Sequence, residues 1–227
     1  MNFIEGKILL IDKQTDWTSF DVVNKIRNLL KKHLNIKKIK VGHAGTLDPL
    51  ASGLMIVCTG KETKNIDNYQ ALTKEYITTI SLDGTTPSFD RETEVTETFD
   101  TSFLTKDKIQ ECLDRFKGPI QQVPPAYSAK KVDGQRAYIK ARKNQDVELK
   151  PVEIVINELD LIDFSNPLLT IRINCSKGTY VRSLARDIGK ELGCGGYLTE
   201  LKRTAIGQFL LNDAVTVKEF EEMLNKN

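Results

Sequence analysis

The 227-residue sequence predicts an α+β protein built on a mixed, mostly antiparallel central sheet flanked by helices. Three observations carry that prediction. Strand-like and helix-like periods mix irregularly, without the steady β-α-β order that a parallel sheet requires. Two long strand-like segments, residues 152–164 and 168–175, are separated only by the turn Ser165-Asn166-Pro167, which suits antiparallel neighbours. No repeat, low-complexity tract or flexible linker interrupts the chain, so residues 1–227 are expected to form a single domain.

Residues 7–12 (KILLID) have the length and composition of a short buried strand. Thr18 and Asp21 have the spacing of a helix-capping box, with Asp in place of the usual Glu. Val22, Val23, Ile26, Leu29 and Leu30 then recur at helical spacing, leaving Lys25, Arg27, Lys31 and Lys32 for the outer face. A glycine-punctuated loop, residues 42–53, leads into the continuous apolar run 54–58, which reads as a central strand. Another strand is expected over 74–82, and an amphipathic helix over 105–116 with Ile109, Leu113 and Phe116 inward. Residues 118–125 carry three prolines and read as a connection. The stretch 128–150 has little apolar periodicity and reads as a protruding basic loop with a short helix near 137–142. Val181, Leu184, Ala185, Ile188 and Leu192 mark a clear amphipathic helix that Gly193 ends, and a last helix over roughly 216–224 closes the chain.

Hydrophobic residues at 40% and charged residues at 28% are ordinary for a soluble globular protein and exclude a disordered or membrane-spanning composition. The formal charge is only +2, but its distribution is uneven. Lys31, Lys32, Lys37, Lys38 and Lys40 follow one another with no acid among them, and residues 130–150 are also predominantly basic. By contrast, residues 83–114 hold nine acids against three bases. A face that meets a polyanion would be charged in this way, although on charge alone a set of solvated surfaces is the favoured reading. Cys58, Cys112, Cys175 and Cys194 show no C-x-x-C spacing, so neither a zinc site nor a disulfide framework is expected. There is no signal-peptide pattern and no apolar run near the ~20 residues that span a bilayer, so a cytoplasmic protein with no membrane partner is expected.

Three segments are candidates for chemistry. In Gly42-His43-Ala44-Gly45-Thr46-Leu47-Asp48-Pro49-Leu50-Ala51-Ser52-Gly53, the glycines permit unusual backbone angles and Pro49 biases Asp48 toward an extended conformation. A carboxylate fixed on such a loop suits nucleophilic or general-base work, while Asp-Pro is also common turn chemistry. Next, Ser176-Lys177-Gly178-Thr179-Tyr180-Val181-Arg182-Ser183 opens a helix yet places Lys177 and Arg182 where the macrodipole prefers acids. An anion held there, whether a phosphate or a carboxylate such as Asp48, would offset the mismatch, and so would simple solvation of the two cations. Finally, Tyr76 sits in a strand-like segment, where an aromatic is usually core but can also be a stacking platform for a base.

Taken together, these segments resemble the bacterial tRNA pseudouridine-55 synthase (TruB) family. The resemblance lies in the G-H-A-G-T-L-D-P-x-A-x-G loop, the Lys74-Glu75-Tyr76 strand and Pro124-Pro125-x-Tyr127-Ser128-Ala129-x-Lys131. It continues through G-T-Y-V-R-S-L-A-R-D-x-G and Leu198-Thr199-Glu200-Leu201-Lys202-Arg203-Thr204-Ala205-Ile206-Gly207-Gln208-Phe209, all in order from about residue 7 to 209. The family's early K-P-x-G-x-T-S element is here Lys13-Gln14-Thr15-Asp16-Trp17-Thr18-Ser19, without the proline or the glycine. Leu82-Asp83-Gly84-Thr85-Thr86 alters the spacing of the family's L-G-x-x-T, and Glu62 replaces a small residue. The sequence stops at Asn227, so the C-terminal RNA-binding (PUA) domain of many members is expected to be absent.

The resemblance implies the pseudouridine synthase fold, with the basic segment 128–150 as a thumb loop on a single catalytic domain. It implies isomerisation of uridine 55 in the T loop of tRNA, with no cofactor and no metal. Asp48 would be the essential carboxylate, either attacking C1′ or removing the C2′ proton. Arg182 would pair with Asp48 and keep it ionised, since a neighbouring cation lowers a carboxylate pKa by ~1–3 units. Tyr76 would stack on the flipped uracil, Tyr180 would hydrogen-bond near the Asp–Arg pair, Leu201 would pack on the base, and His43 would sit against the T loop. Lys64, Lys130 and Lys131 are the candidates for phosphate contacts. The expected partner is the tRNA T stem-loop, bound by a monomer that needs no guide RNA. Two other readings are a tRNA-folding chaperone without modification activity and a structural subunit of a guide-RNA complex.

Overall fold

The computed structural model describes residues 2–128, 130–132, 134–143, 145 and 147–226, with only the backbone of Lys131 and Val132. The chain begins with β1 (Lys7–Lys13), α1 (Ser19–His33), β2 (Val41–His43), β3 (Ser52–Thr59), α2 (Ile66–Ala71) and β4 (Lys74–Ser81). It continues through β5 (Gly84–Thr85), β6 (Glu97–Thr98), α3 (Lys106–Arg115), β7 (Gly118–Gln122), β8 (Lys131–Val132), β9 (Gln135–Arg136) and α4 (Ala137–Ala141). After β10 (Val152–Ser165), β11 (Leu168–Cys175) and α5 (Val181–Glu191) come β12 (Tyr197–Ile206), β13 (Phe209–Leu210), β14 (Val215–Thr216) and α6 (Val217–Asn225). Contacts divide the chain into two compact units, residues 1–77 with 201–227 and residues 78–200. Strands β4 and β12 contribute residues to both.

In the first unit β3 is the spine. Its residues from Gly53 to Thr59 are all buried, which explains the uninterrupted apolar run: a strand covered on both faces has no outward positions to fill with polar groups. Antiparallel β1 flanks it from Lys7↔Thr59 to Lys13↔Gly53, and β2 pairs with it from Val41↔Thr59 to His43↔Val57. Parallel β12 joins it at Lys202↔Ser52 and Arg203↔Gly53. Ala44, Leu54, Ile56, Cys58 and Ile206 form a buried cluster covered by Ile8, Leu10, Tyr69 and Phe209. Helix α1 starts on the expected capping box between Thr18 and Asp21 and buries Val22, Val23, Ile26 and Leu30, each contributing ~1.5–3 kcal/mol by leaving water. The basic residues Lys31, Lys32 and His33 fall in its last turn, where they complement the helix dipole.

In the second unit β10 pairs antiparallel with β11, from Ile156↔Cys175 to Ser165↔Leu168, so the two strands expected on either side of the 165–167 turn are found there. Strict alternation of buried and partly exposed residues along β11 gives it one core face. Helix α3 buries Ile109, Cys112 and Leu113 and packs on β10 and α5. The proline-rich stretch read as a connection is in fact strand β7, paired antiparallel with β10 from Val152↔Gln122 to Ile156↔Gly118. Pro119 is tolerated because β7 ends the strand order and, among the described residues, pairs only with β10, so the missing N–H breaks no ladder on its far side. In the basic stretch the expected short helix is α4, and the hairpin β8–β9, paired at Lys131↔Arg136, was not anticipated. Residues 129, 133, 144 and 146 of that stretch lie outside the described set.

Candidate active site

The loop that carries Asp48 is delivered by β2 and withdrawn by β3, and its backbone is fastened on both sides of the aspartate. Ser19, buried at the start of α1, uses one hydroxyl twice: it accepts from the Leu47 N–H at 2.8 Å and donates to the Leu47 carbonyl at 3.0 Å. On the other side, the Pro49 carbonyl accepts from the Asp16 N–H at 2.8 Å and from the Lys13 Nζ at 3.3 Å. The Ala51 N–H closes a turn onto the Asp48 carbonyl at 3.1 Å. Asp48 itself is half-buried.

Lys13 is fully buried and also donates to the carbonyls of Trp17 at 2.6 Å and Gln14 at 2.9 Å. Burial drives its pKa down to about 8, and the Asp48 charge acts in the opposite direction. The atypical Lys13–Ser19 element therefore still forms a working turn. Asp16 takes the glycine's place at φ 66°, a left-handed conformation that Asp tolerates better than most residues.

His43, Lys64, Tyr76 and Leu201 belong to the same unit as Asp48. His43 lies on β2 opposite Val57, and burial, reinforced by the Arg203 charge, holds its imidazole below the usual histidine range. Tyr76 is buried at 8% exposure on β4, beside Glu75, whose carboxylate accepts from the Thr204 hydroxyl at 2.7 Å. Leu201 is half-buried on β12, one residue before the pairing with β3, and Lys64 is exposed in the 3-10 turn Gly60–Asn65.

Arg182, Tyr180, Lys130 and Lys131 belong to the second unit. Tyr180 caps α5 and is gripped by the Gln122 side chain, which accepts from its N–H at 2.8 Å and donates to its carbonyl at 3.1 Å. Arg182, only 5% exposed, donates to the Tyr127 carbonyl at 2.8 Å and to the Ser88 carbonyl at 3.2 Å. It also stands 3.5 Å from the buried carboxylate of Asp90. The cation at the start of α5 is thus offset by an acid within its own unit, a partner that the sequence did not suggest. Asp90 is in turn fixed by the Ser88 hydroxyl at 2.6 Å and the Glu92 N–H at 2.9 Å. Lys177 is exposed. Lys130 is half-buried, and the Lys131 side chain lies outside the described atoms.

Asp90 and Lys13 are the residues that sequence reasoning missed. Asp90 sits in an acidic stretch where every carboxylate reads as surface, and Lys13 opens an element that departs from the family pattern. Among the described residues, no group of three His, Cys, Asp or Glu side chains is placed to hold a metal ion, and no helix is long and apolar enough to cross a membrane.

Known proteins give the family to which this fold and these loops belong. Residues 31–181 match the N-terminal domain model of the TruB family pseudouridylate synthases, and residues 182–227 match the tRNA pseudouridylate synthase B C-terminal domain. The tRNA pseudouridine synthase B of Phocaeicola vulgatus is 54% identical over 226 residues, covering 100% of this chain and 96% of that protein. The protein of the same name from Parabacteroides distasonis is 53% identical over 227 residues, covering 100% and 97%. Among solved structures, a chain of a Cbf5-Nop10-Gar1 complex has a TM-score of 0.73 at 28% identity over 98% of this chain, which spans 55% of that chain's length. The α+β fold expected from the irregular mixing of elements is therefore that of the pseudouridine synthases. With both family models in sequence order and half of all residues shared along the whole length, this chain belongs to the TruB family of pseudouridylate synthases.

Proposed function

We propose that the chain isomerises a uridine of tRNA to pseudouridine, that the target is uridine 55 in the T loop, and that Asp48 is the reacting carboxylate. The single observation that carries this reading is the 54% identity, over 226 residues, to a tRNA pseudouridine synthase B. The reaction breaks the N1–C1′ bond, turns the uracil and joins C5 to C1′; the C5 proton is released to solvent and N1 takes up a proton, so the product is an isomer. It is redox-neutral and consumes no nucleotide triphosphate. A carboxylate can serve it by attacking C1′ or by removing the C2′ proton, and either role needs an ionised group at a fixed position.

Bringing the uridine to that position means extruding it from its stack, at a cost of a few kcal/mol. Tyr76 is assigned the stacking surface, which returns ~1–3 kcal/mol, and Leu201 the apolar contact to the same base. Stacking alone is marginal, so phosphate contacts from Lys64, Lys130 and Lys131 are assigned the remainder. Arg182 is assigned as the partner of the Asp48 carboxylate, Tyr180 as a hydrogen-bonding group beside them, and His43 as a contact to the T loop. In this reading the enzyme acts in the cytoplasm as a monomer, without guide RNA, membrane or metal.

Chemical mapping of pseudouridine after incubation with unmodified tRNA tests the proposal. A single new pseudouridine at position 55 is the expected result. Modification elsewhere, or RNA refolding with no modified base, would refute it, the latter in favour of a folding chaperone.

A further inference from the structure

We propose that Arg203 is a positioning residue for Asp48: its guanidinium ties the two limbs of the catalytic loop together and so fixes where the carboxylate stands. The inference rests on the reading of Asp48 as the reacting group. Arg203 lies on β12 and is 1% exposed. Its Nε donates to the Leu54 carbonyl at 2.7 Å, and its Nη2 donates to the Gly45 carbonyl at 3.2 Å. Gly45 lies on the limb that enters the loop, three residues before Asp48, and Leu54 lies on the limb that leaves it. One planar group therefore spans the base of the loop.

Its backbone takes part as well. Arg203 pairs with Gly53, which has φ 102°, and a Cβ at position 53 would fall within clashing distance of the Arg203 backbone. The close approach of the two strands thus requires glycine there. The guanidinium charge also reaches Lys13 and His43, whose affinity for protons it lowers.

A buried guanidinium is an expensive way to fill a core. Apolar side chains of similar volume are often neutral or stabilising in such places, so the cation calls for another reason. Here its guanidinium donates to backbone carbonyls on two separate limbs, a task for which the rigid fork is suited and a single ammonium is not. Lys13 and Ser19 secure the residues beside Asp48, whereas Arg203 secures the span on which those residues hang.

The test uses the full chain with Arg203→Lys and Arg203→Gln. Single-turnover rate at saturating enzyme, tRNA Kd and thermal melting are measured well below the melting temperature, with Asp48→Asn in parallel. Arg203→Lys is expected to lose at least ~30-fold in the single-turnover rate while Kd stays within about threefold, because displacement of a reacting group acts on chemistry more than on binding. A folded variant whose rate stays within about threefold of the wild type, or which loses rate and affinity equally, overturns the proposal. Failure of both variants to fold at any temperature would make Arg203 a stability residue and would overturn it too. If Asp48→Asn keeps turning over, the reading of Asp48 fails; if Asp48→Asn is inactive and Arg203→Lys is fully active, only the role of Arg203 fails.

Discussion

In the first unit the loop around Asp48 is held by its backbone, whereas in the second unit Arg182 is held by its own side chain. Leu47 bonds to Ser19, the Pro49 carbonyl accepts from Lys13 and Asp16, and the Ala51 N–H donates to the Asp48 carbonyl, and these bonds shape the loop. Arg182 instead spends its guanidinium on two carbonyls and the Asp90 carboxylate, nearly out of contact with water. The difference separates two kinds of functional residue. Backbone bonds that shape a loop persist when a side chain on it is exchanged, while a buried side-chain network does not survive the loss of its central cation. Loss of activity after substitution of Arg182 is therefore ambiguous by itself, and loss after substitution of Asp48 is not.

The sharpest way to break that contrast is to measure stability. Arg182→Ala leaves Asp90 buried beside an absent cation and should cost about 3–5 kcal/mol in urea unfolding. Asp48→Asn leaves the Ser19, Lys13 and Asp16 bonds to the loop backbone in place and should cost less, about 1 kcal/mol or below. Equal costs would mean that the carboxylate also shapes its loop. Arg182→Lys keeps the charge but cannot satisfy Ser88, Tyr127 and Asp90 together, so its single-turnover rate should fall more than about fivefold. A smaller loss would remove Arg182 from the reaction. A smaller stability effect is expected on the other side of the comparison: Ser19→Ala strips both Leu47 backbone groups of their partner and should cost ~1–3 kcal/mol.

Lys13 offers a test that depends on pH. Its folded pKa of about 8 lies below the ordinary 10.5, so the unfolded chain binds more protons across that interval. Wild-type stability relative to Lys13→Met should therefore rise as pH increases from about 8 toward 10.5 and be flat below about 7. A relative stability that falls over this range would contradict a desolvated lysine. Removing the opposing Asp48 charge should move the onset lower still, which the 13Cε shift of Lys13 would report in Asp48→Asn. The smallest expected effect concerns the substrate: an isolated T-arm hairpin should be modified with kcat/KM within about tenfold of full tRNA, under ~1.4 kcal/mol of transition-state binding. A preference of a hundredfold for full tRNA would point to a second surface, with Lys31 to Lys40 the first region to mutate.

What the sequence made legible follows the same division. Helix α1, strand β3, the β10–β11 pair and α5 were readable because each has one dominant period or a self-contained turn. Strand β7 was hidden because proline signals a loop unless its strand lies at a sheet edge, and edge position depends on distant pairing. Strand β12 was seen only as a family motif: it places Arg203 where an alternating strand would carry an apolar residue, which spoils its pattern. The Asp48 loop showed itself through its glycines and Asp-Pro step. Asp90 did not, since its burial is decided by Arg182, ninety-two residues further along.

In the proposed reaction Asp48 serves chemistry while other groups serve affinity. Tritium released from C5 of uridine-labelled tRNA by Asp48→Asn, with its tRNA Kd measured in the same buffer, tests this most directly. No detectable release is expected over the time of many wild-type turnovers, with Kd changed by less than about tenfold. Near-normal release by Asp48→Asn, or a loss of activity fully matched by a loss of tRNA binding, would contradict it.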